Sequence, residues 1–185
     1  SYSPRVNLSN SMIKEFLLYG ANGYTGSLIA HAAVDQGMRP ILAGRTAAQI
    51  ESLAQALRLE SRIAALDDPA ALDRLLKDIP VVLHAAGPYA YTAKPMVDAC
   101  IRNRVHYLDI TGEISVFEAL AQRSAEAKRA GVMLLPGAGF DVVPSDNLAA
   151  HLKRRLPGAT HLKLAIRSLS RISRGTAITM LETIG

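Results

Sequence analysis

A chain of 185 residues with 49% hydrophobic and 20% charged side chains is enough for one well-buried domain and little more. The net charge of +5 is modest, there is no tryptophan, and basic residues do not interleave with aromatic ones, so nucleic-acid binding is not expected. No stretch approaches a membrane span and no secretory pattern is present. The single cysteine, Cys100, excludes an internal disulfide and suits a cytoplasmic protein.

Ser1 to Ser11 is polar and unpatterned and reads as a leader or remnant, with Met12 the natural start. The first apolar run, Glu15–Tyr19, predicts a strand, and Ser27–Gln36 a helix. Between them lies Gly20-Ala21-Asn22-Gly23-Tyr24-Thr25-Gly26, spaced G-x-x-G-x-x-G, a variant of the dinucleotide fingerprint. Gly20 would allow the tight turn, Gly23 close approach of a pyrophosphate, and Gly26 close packing of helix on strand. Phosphates would then meet the free amides of the helix N-terminus, with Asn22, Tyr24 and Thr25 in the same turn. An ordinary glycine-rich βα turn is the bland alternative.

A second strand, Pro40–Ala43, runs into Gly44-Arg45-Thr46. An NAD site wants an acidic residue here for the ribose 2′-hydroxyl, and none is present. A guanidinium fits a 2′-phosphate instead, so Arg45 with the Thr46 hydroxyl predicts NADP(H). Thr46 could equally cap the helix Ala47–Leu57. The third strand, Arg62–Ala65, leads to Asp67 and Asp68. Asp67 is placed to meet the adenine edge, although either aspartate could cap the helix Pro69–Leu76. The fourth strand, Val81–Ala85, ends in Ala86-Gly87-Pro88, small residues against which a nicotinamide ribose or pyrophosphate could lie.

Helix Pro95–Asn103 precedes the fifth strand, His106–Asp109, and helix Val116–Ala130 precedes the sixth, Val132–Leu135. Alternation of apolar strands and helices predicts an α/β fold: a Rossmann doubly wound parallel sheet of six strands in the order 3-2-1-4-5-6. The strand ends bring Tyr89, Asp109, Glu113 and Asp141 to the substrate side, where a tyrosine or protonated carboxyl could supply a proton. A cap or loop hydrogen bond is the competing role for each carboxylate. Tyr91 and Lys94 do not have the Tyr-x-x-x-Lys spacing of short-chain dehydrogenases. The five histidines are dispersed, with no metal-ligand spacing, so no metal is expected.

After Pro136-Gly137-Ala138-Gly139-Phe140-Asp141 the character changes. Ser145 reads as an N-cap for a helix Asp146–Leu156, followed by a seventh strand, His161–Arg167, and a last helix, Thr176–Ile184. Residues 12–145 are expected to form the NADP-binding domain. Residues 146–185 are expected to begin an incomplete α+β substrate or dimerisation domain, whose apolar last helix predicts a homodimer.

The ordered set Tyr19-Gly20-Ala21-Asn22-Gly23-Tyr24-Thr25-Gly26, Ala43-Gly44-Arg45, Ala85-Ala86-Gly87-Pro88-Tyr89, His106 to Glu113, Pro136 to Asp141 with Pro144-Ser145-Asp146, and Ser173-Arg174-Gly175-Thr176 resembles the saccharopine dehydrogenase-like reductase family. Within it, the closest resemblance is to the branch with the trans-acting enoyl reductases. The resemblance implies an NADP-binding Rossmann domain, a second domain closing over a small-molecule substrate, and hydride transfer from NADPH to a C=C or C=N bond. It carries cofactor roles to Gly20, Gly23, Gly26, Arg45 and Ala86-Gly87-Pro88, and no catalytic residue. Such a second domain needs about 100 further residues. The chain is therefore expected to be truncated in that domain, or to be a non-catalytic NADP-binding module or remnant acting through a partner.

Overall fold

The computed structural model describes residues 16–165. Its sheet has six parallel strands: β1 (Leu17–Tyr19), β2 (Ile41–Gly44), β3 (Ser61–Ile63), β4 (Val81–His84), β5 (His106–Asp109) and β6 (Leu134–Leu135). The observed order, β3-β2-β1-β4-β5-β6, is the order the sequence predicts. Strand order reverses between β1 and β4, so their carboxyl ends open a crevice, the place where such sheets bind ligands.

Successive side chains on a strand point to opposite faces, and both faces here are covered. Leu18 and Leu42 pack on Ala30 of α1 (Tyr24–Asp35) and on Ile50 and Ala54 of α2 (Ala47–Leu57). Leu17, Tyr19, Val82 and Tyr107 face the larger core on the other side. There they meet Leu72 of α3 (Pro69–Leu75), Met96 and Val97 of α4 (Tyr89–Asn103), Val116 of α5 (Ile114–Gln122) and Ala127 of α6 (Ser124–Ala130). Cys100 lies fully buried in this core.

Several boundaries differ from the sequence expectation. Helix α1 begins at Tyr24 rather than Ser27, which places Thr25 and Gly26 inside its first turn. Helix α4 begins at Tyr89, six residues before Pro95, and carries that proline internally. Its start is capped by a carboxylate from a distant loop, described below, so no neighbouring residue signals it. The single helix expected over Val116–Ala130 is two, broken at Arg123, whose guanidinium binds Glu126 and Asp98. Helix α7 (Val143–Arg155) starts before Ser145, whose hydroxyl donates to the Val142 carbonyl instead of capping. Residues 161–165 are not a strand; the remainder of that expected strand, and the last helix, lie outside the described residues.

Candidate cofactor site

At the end of β1 the chain turns through Gly20, whose φ is +85°. That value lies in the left-handed region open mainly to glycine. A Cβ there would stand 2.8 Å from the Ala86 Cβ and 2.9 Å from the Ala85 carbonyl carbon, so the turn after β4 presses directly on the glycine turn. A Cβ on Gly26 would come 2.1 Å from the Gly20 carbonyl oxygen, which forces glycine where α1 crosses the turn. Gly23 is less crowded, with 3.3 Å to that same oxygen.

Gly23 occupies the N-cap of α1, and no side chain caps the helix. The first intrahelical bond reaches from Ser27 back to Gly23. The amides of Tyr24, Thr25 and Gly26 therefore have no acceptor among the described residues, and these are the groups that bind anions at helix N-termini. Asn22 bridges this turn to α2, its side-chain amide donating to the Gln49 Oε1 at 2.6 Å. Gly44 leaves room for that bridge, since a Cβ there would lie 3.1 Å from the Asn22 Oδ1. The part played by Gly44 and Gln49 was not visible in the sequence, because the contact spans 27 positions.

Arg45 and Thr46 are exposed at the end of β2. Arg45 has no ion-pair partner among the described residues. Thr46 does sit at the N-cap of α2, but its hydroxyl makes no capping bond. Behind them the Tyr19 hydroxyl donates to the Ala64 carbonyl at 2.9 Å. Burial pushes the Tyr19 hydroxyl up to about 12, with Arg45 pulling it down and Asp67 pushing it up, so both charges stand close to the end of β1. The two aspartates part company: Asp68 caps α3 by accepting from the Ala71 amide at 2.9 Å, while Asp67 is exposed with no side-chain bond among the described residues.

Across the crevice, Ala86 is half-buried against Gly20, Gly87 is exposed, and Pro88 is the N-cap of α4. A Cβ on Gly87 would meet nothing closer than 3.4 Å, so its spacing is not sterically demanded. The residues expected on the substrate side fall into two groups. Tyr89 is buried, with its hydroxyl donating to the His84 carbonyl at 3.3 Å. Asp109 is fully buried and accepts from the Tyr107 hydroxyl at 2.8 Å, the Thr111 amide at 3.0 Å and the Gly137 amide at 2.8 Å. Burial still holds its carboxyl above the usual carboxylate range, against the pull of those donors. Glu113 accepts from the Tyr89 amide at 2.9 Å and the Ala90 amide at 2.7 Å. Asp141, by contrast, is exposed beside Gly112 and has no side-chain hydrogen bond among the described residues.

Under this edge His84 is fully buried between the rings of Tyr19, Tyr89 and Tyr107, with centroids 5.5 to 6.1 Å away. Neither ring nitrogen has a hydrogen-bond partner among the described residues. Burial lowers its pKa to about 3, so the imidazole is neutral. The described residues hold no cluster of side chains able to bind a metal, and no helix among them is long and apolar enough to cross a membrane.

The family model described as the saccharopine dehydrogenase NADP binding domain matches residues 16–135. The chain belongs to this family. That span runs from the residue before β1 to the end of β6, so the matched segment coincides with the whole sheet. The saccharopine dehydrogenase-like oxidoreductase of Bos taurus is 28% identical over 179 residues, covering 86% of this chain and 41% of that protein. The trans-acting enoyl reductase of Mycobacterium leprae is 31% identical over 150 residues, covering 77% of this chain and 36% of that protein. The chain thus spans about two fifths of the length of these curated relatives. Among solved structures, saccharopine dehydrogenase (L-Glu forming) from Saccharomyces cerevisiae superposes with a TM-score of 0.67 at 23% identity, over 78% of this chain and 32% of that one, and shares the fold.

Membership in the saccharopine dehydrogenase NADP binding domain family makes NADP the cofactor of this domain. The residues present fit the group. A turn closed to a Cβ at Gly20 and Gly26 leads to unpartnered helix amides, and an exposed arginine without a carboxylate partner stands at the end of β2.

Proposed function

We propose that this chain is the NADPH-holding part of a reductase that acts on a C=C or C=N bond of a small molecule. The observation that carries the reading is the open polar chemistry around the glycine turn. In it the amides of Tyr24, Thr25 and Gly26 take the pyrophosphate, Arg45 with Thr46 takes the 2′-phosphate, and Asp67 meets the adenine edge. Bound NADPH supplies the hydride. Ala86, Gly87 and Pro88 form the wall against which its nicotinamide half lies, across the switch point from Gly20.

Reduction of either bond also needs a proton. Tyr89, Asp109 and Glu113 are spent on internal hydrogen bonds, so they shape the site. Asp141 is the substrate-side carboxylate left exposed, and it is the residue we assign to face the substrate. The remaining substrate contacts belong to the part of the relatives that this chain does not span. The enoyl reductase name of one relative supports the C=C acceptor.

The same reading includes residues 12–145 as the cofactor domain, a start of the substrate domain after it, a cytoplasmic setting and a homodimer. Helix α7 supports the pairing, since Leu148 and Leu152 recur along it, Leu156 follows at its C-cap, and none of the helix residues is buried. Light scattering at micromolar concentration is expected to give twice the chain mass, and a monomer would remove the dimer. A cofactor-binding module without turnover is the second reading, favoured by the internal engagement of three expected acid groups. Calorimetric titration with NADPH and NADH, followed by NADPH oxidation with enoyl thioesters and imino acids, separates the two. Selective NADPH binding with turnover is the expected result; tight binding with no turnover would favour the module.

A further inference from the structure

The loop after β5 reaches back across the sheet edge to α4. Glu113 stands at the N-cap of α5, yet its carboxylate makes no bond to that helix. Both oxygens are spent on α4 instead, Oε1 on the Tyr89 amide and Oε2 on the Ala90 amide. Those amides belong to the residues that follow the Ala86-Gly87-Pro88 turn directly. An ionised carboxylate is well suited there, because the first amides of a helix lack internal acceptors and carry partial positive charge.

Glu113 is itself held. Its amide donates to the Thr111 Oγ1 at 3.0 Å, and the Thr111 amide donates to the Asp109 Oδ1 at 3.0 Å. Asp109 is the register partner of His84 across β4 and β5, and the His84 carbonyl accepts from the Tyr89 hydroxyl. The contacts therefore close a ring: His84, Tyr89, Glu113, Thr111, Asp109 and back to His84. The segment Ala85–Pro88 joins two members of that ring, His84 and Tyr89, and no ring bond touches it. It is anchored on its other side by the Ala85 amide donating to the Tyr19 carbonyl at 2.8 Å and by Ala86 against Gly20.

We propose that Glu113 is a positioning residue for the cofactor: by tying the start of α4 to β5, it sets where the Ala86-Gly87-Pro88 turn stands, and so controls binding of the nicotinamide half of NADPH and not the adenosine half. This rests on the reading that the nicotinamide half lies on that turn. Replacing the carboxylate by an amide keeps its size, removes the charge, and sets an NH2 group against a backbone N–H, so one of the two amides loses its acceptor. The adenosine half sits on the other side of the switch point, on α1 and β2, which no bond from Glu113 reaches.

The experiment titrates the full chain and Glu113→Gln with two probes: NADPH, and 2′-phospho-ADP-ribose, which lacks the nicotinamide. Glu113→Gln is expected to weaken NADPH by about tenfold, the scale of one charge-assisted hydrogen bond, and to leave 2′-phospho-ADP-ribose within about twofold. The emission enhancement of bound reduced nicotinamide should fall in parallel. Arg45→Ala supplies the opposite pattern, weakening both probes alike. Equal losses of both probes in Glu113→Gln, or no loss of either, would overturn the proposal. If the unaltered chain binds NADPH no more tightly than 2′-phospho-ADP-ribose, the nicotinamide does not rest on the turn, and the role given to Glu113 falls with that reading. Thr111→Val tests the same link should Glu113→Gln not fold. It removes the acceptor of the Glu113 amide while leaving the carboxylate, and the same selective loss, about threefold, is expected.

Discussion

At the ends of β1 and β2 the amides of Tyr24, Thr25 and Gly26 and the guanidinium of Arg45 have no partners among the described residues. At the end of β5 the carboxylates of Asp109 and Glu113 accept from four backbone amides and a tyrosine hydroxyl. Both regions are rich in groups that a sequence reader assigns to function. The difference shows that a polar group near a crevice is available to a ligand only when the fold has not already used it. The β1 side presents donors that the described residues leave unused. The β5 side is a braced edge whose charges hold loops together.

The largest expected effect lies on the braced side, in acid. His84 is neutral in the fold, with its pKa near 3, and titrates near 6.5 when unfolded. Its contribution is fully present above pH 6.5 and is lost as pH falls toward 3, at about 1.4 kcal/mol per pH unit. Asp109 works the other way, since its raised pKa means the fold takes up that proton at higher pH than the unfolded chain does. Denaturant unfolding of the chain and of His84→Leu between pH 7 and 4 isolates the histidine. The stability of the unaltered chain relative to His84→Leu should fall by about 3 kcal/mol as pH drops from 6.5 to 4. A constant difference would mean that the imidazole takes up its proton as readily in the fold as in the unfolded chain.

Next comes Gly26→Ala on the open side. The new Cβ overlaps the Gly20 carbonyl, which is backbone and has little freedom to move, so a stability loss of about 3 kcal/mol and loss of NADPH binding are expected. Unchanged denaturation midpoints would show that α1 can shift. Arg45→Ala should weaken NADPH by about 1–3 kcal/mol and leave NADH nearly unchanged, as calorimetry would read. Equal losses for the two cofactors would take the 2′-phosphate away from Arg45. The adjacent aspartates give the smallest contrast. Asp68→Ala should cost about 1 kcal/mol of stability through the lost cap, with NADPH affinity unchanged. Asp67→Ala should leave stability within about 0.5 kcal/mol, and weaken NADPH by about 1 kcal/mol. The reverse pattern would exchange their roles.

The sheet was legible because its signals are local. Apolar runs of strand length separated by helical stretches gave the six strands and their order, and glycines at Gly20 and Gly26 stand where backbone meets backbone. The choice of NADP was legible through an absence, that of a carboxylate after β2. What stayed hidden depends on partners far along the chain. The start of α4 was missed because its cap, Glu113, lies 24 residues away from Tyr89. Glu113, Asp109 and Tyr89 looked reactive in the sequence because residue type says nothing about bonds already made. Likewise the break at Arg123 follows from its bonds to Asp98 and Glu126, one of them on another helix.

Cys100 gives the molecule a built-in clock. It is the sole thiol of the chain, sits on the buried face of α4, and burial pushes it up, so the native protein presents no thiolate to a reagent. Alkylation then proceeds only through openings that lift α4 from the sheet. Since α4 begins at the Glu113 clamp, the labelling rate at one sulfur measures how often that edge of the crevice comes apart.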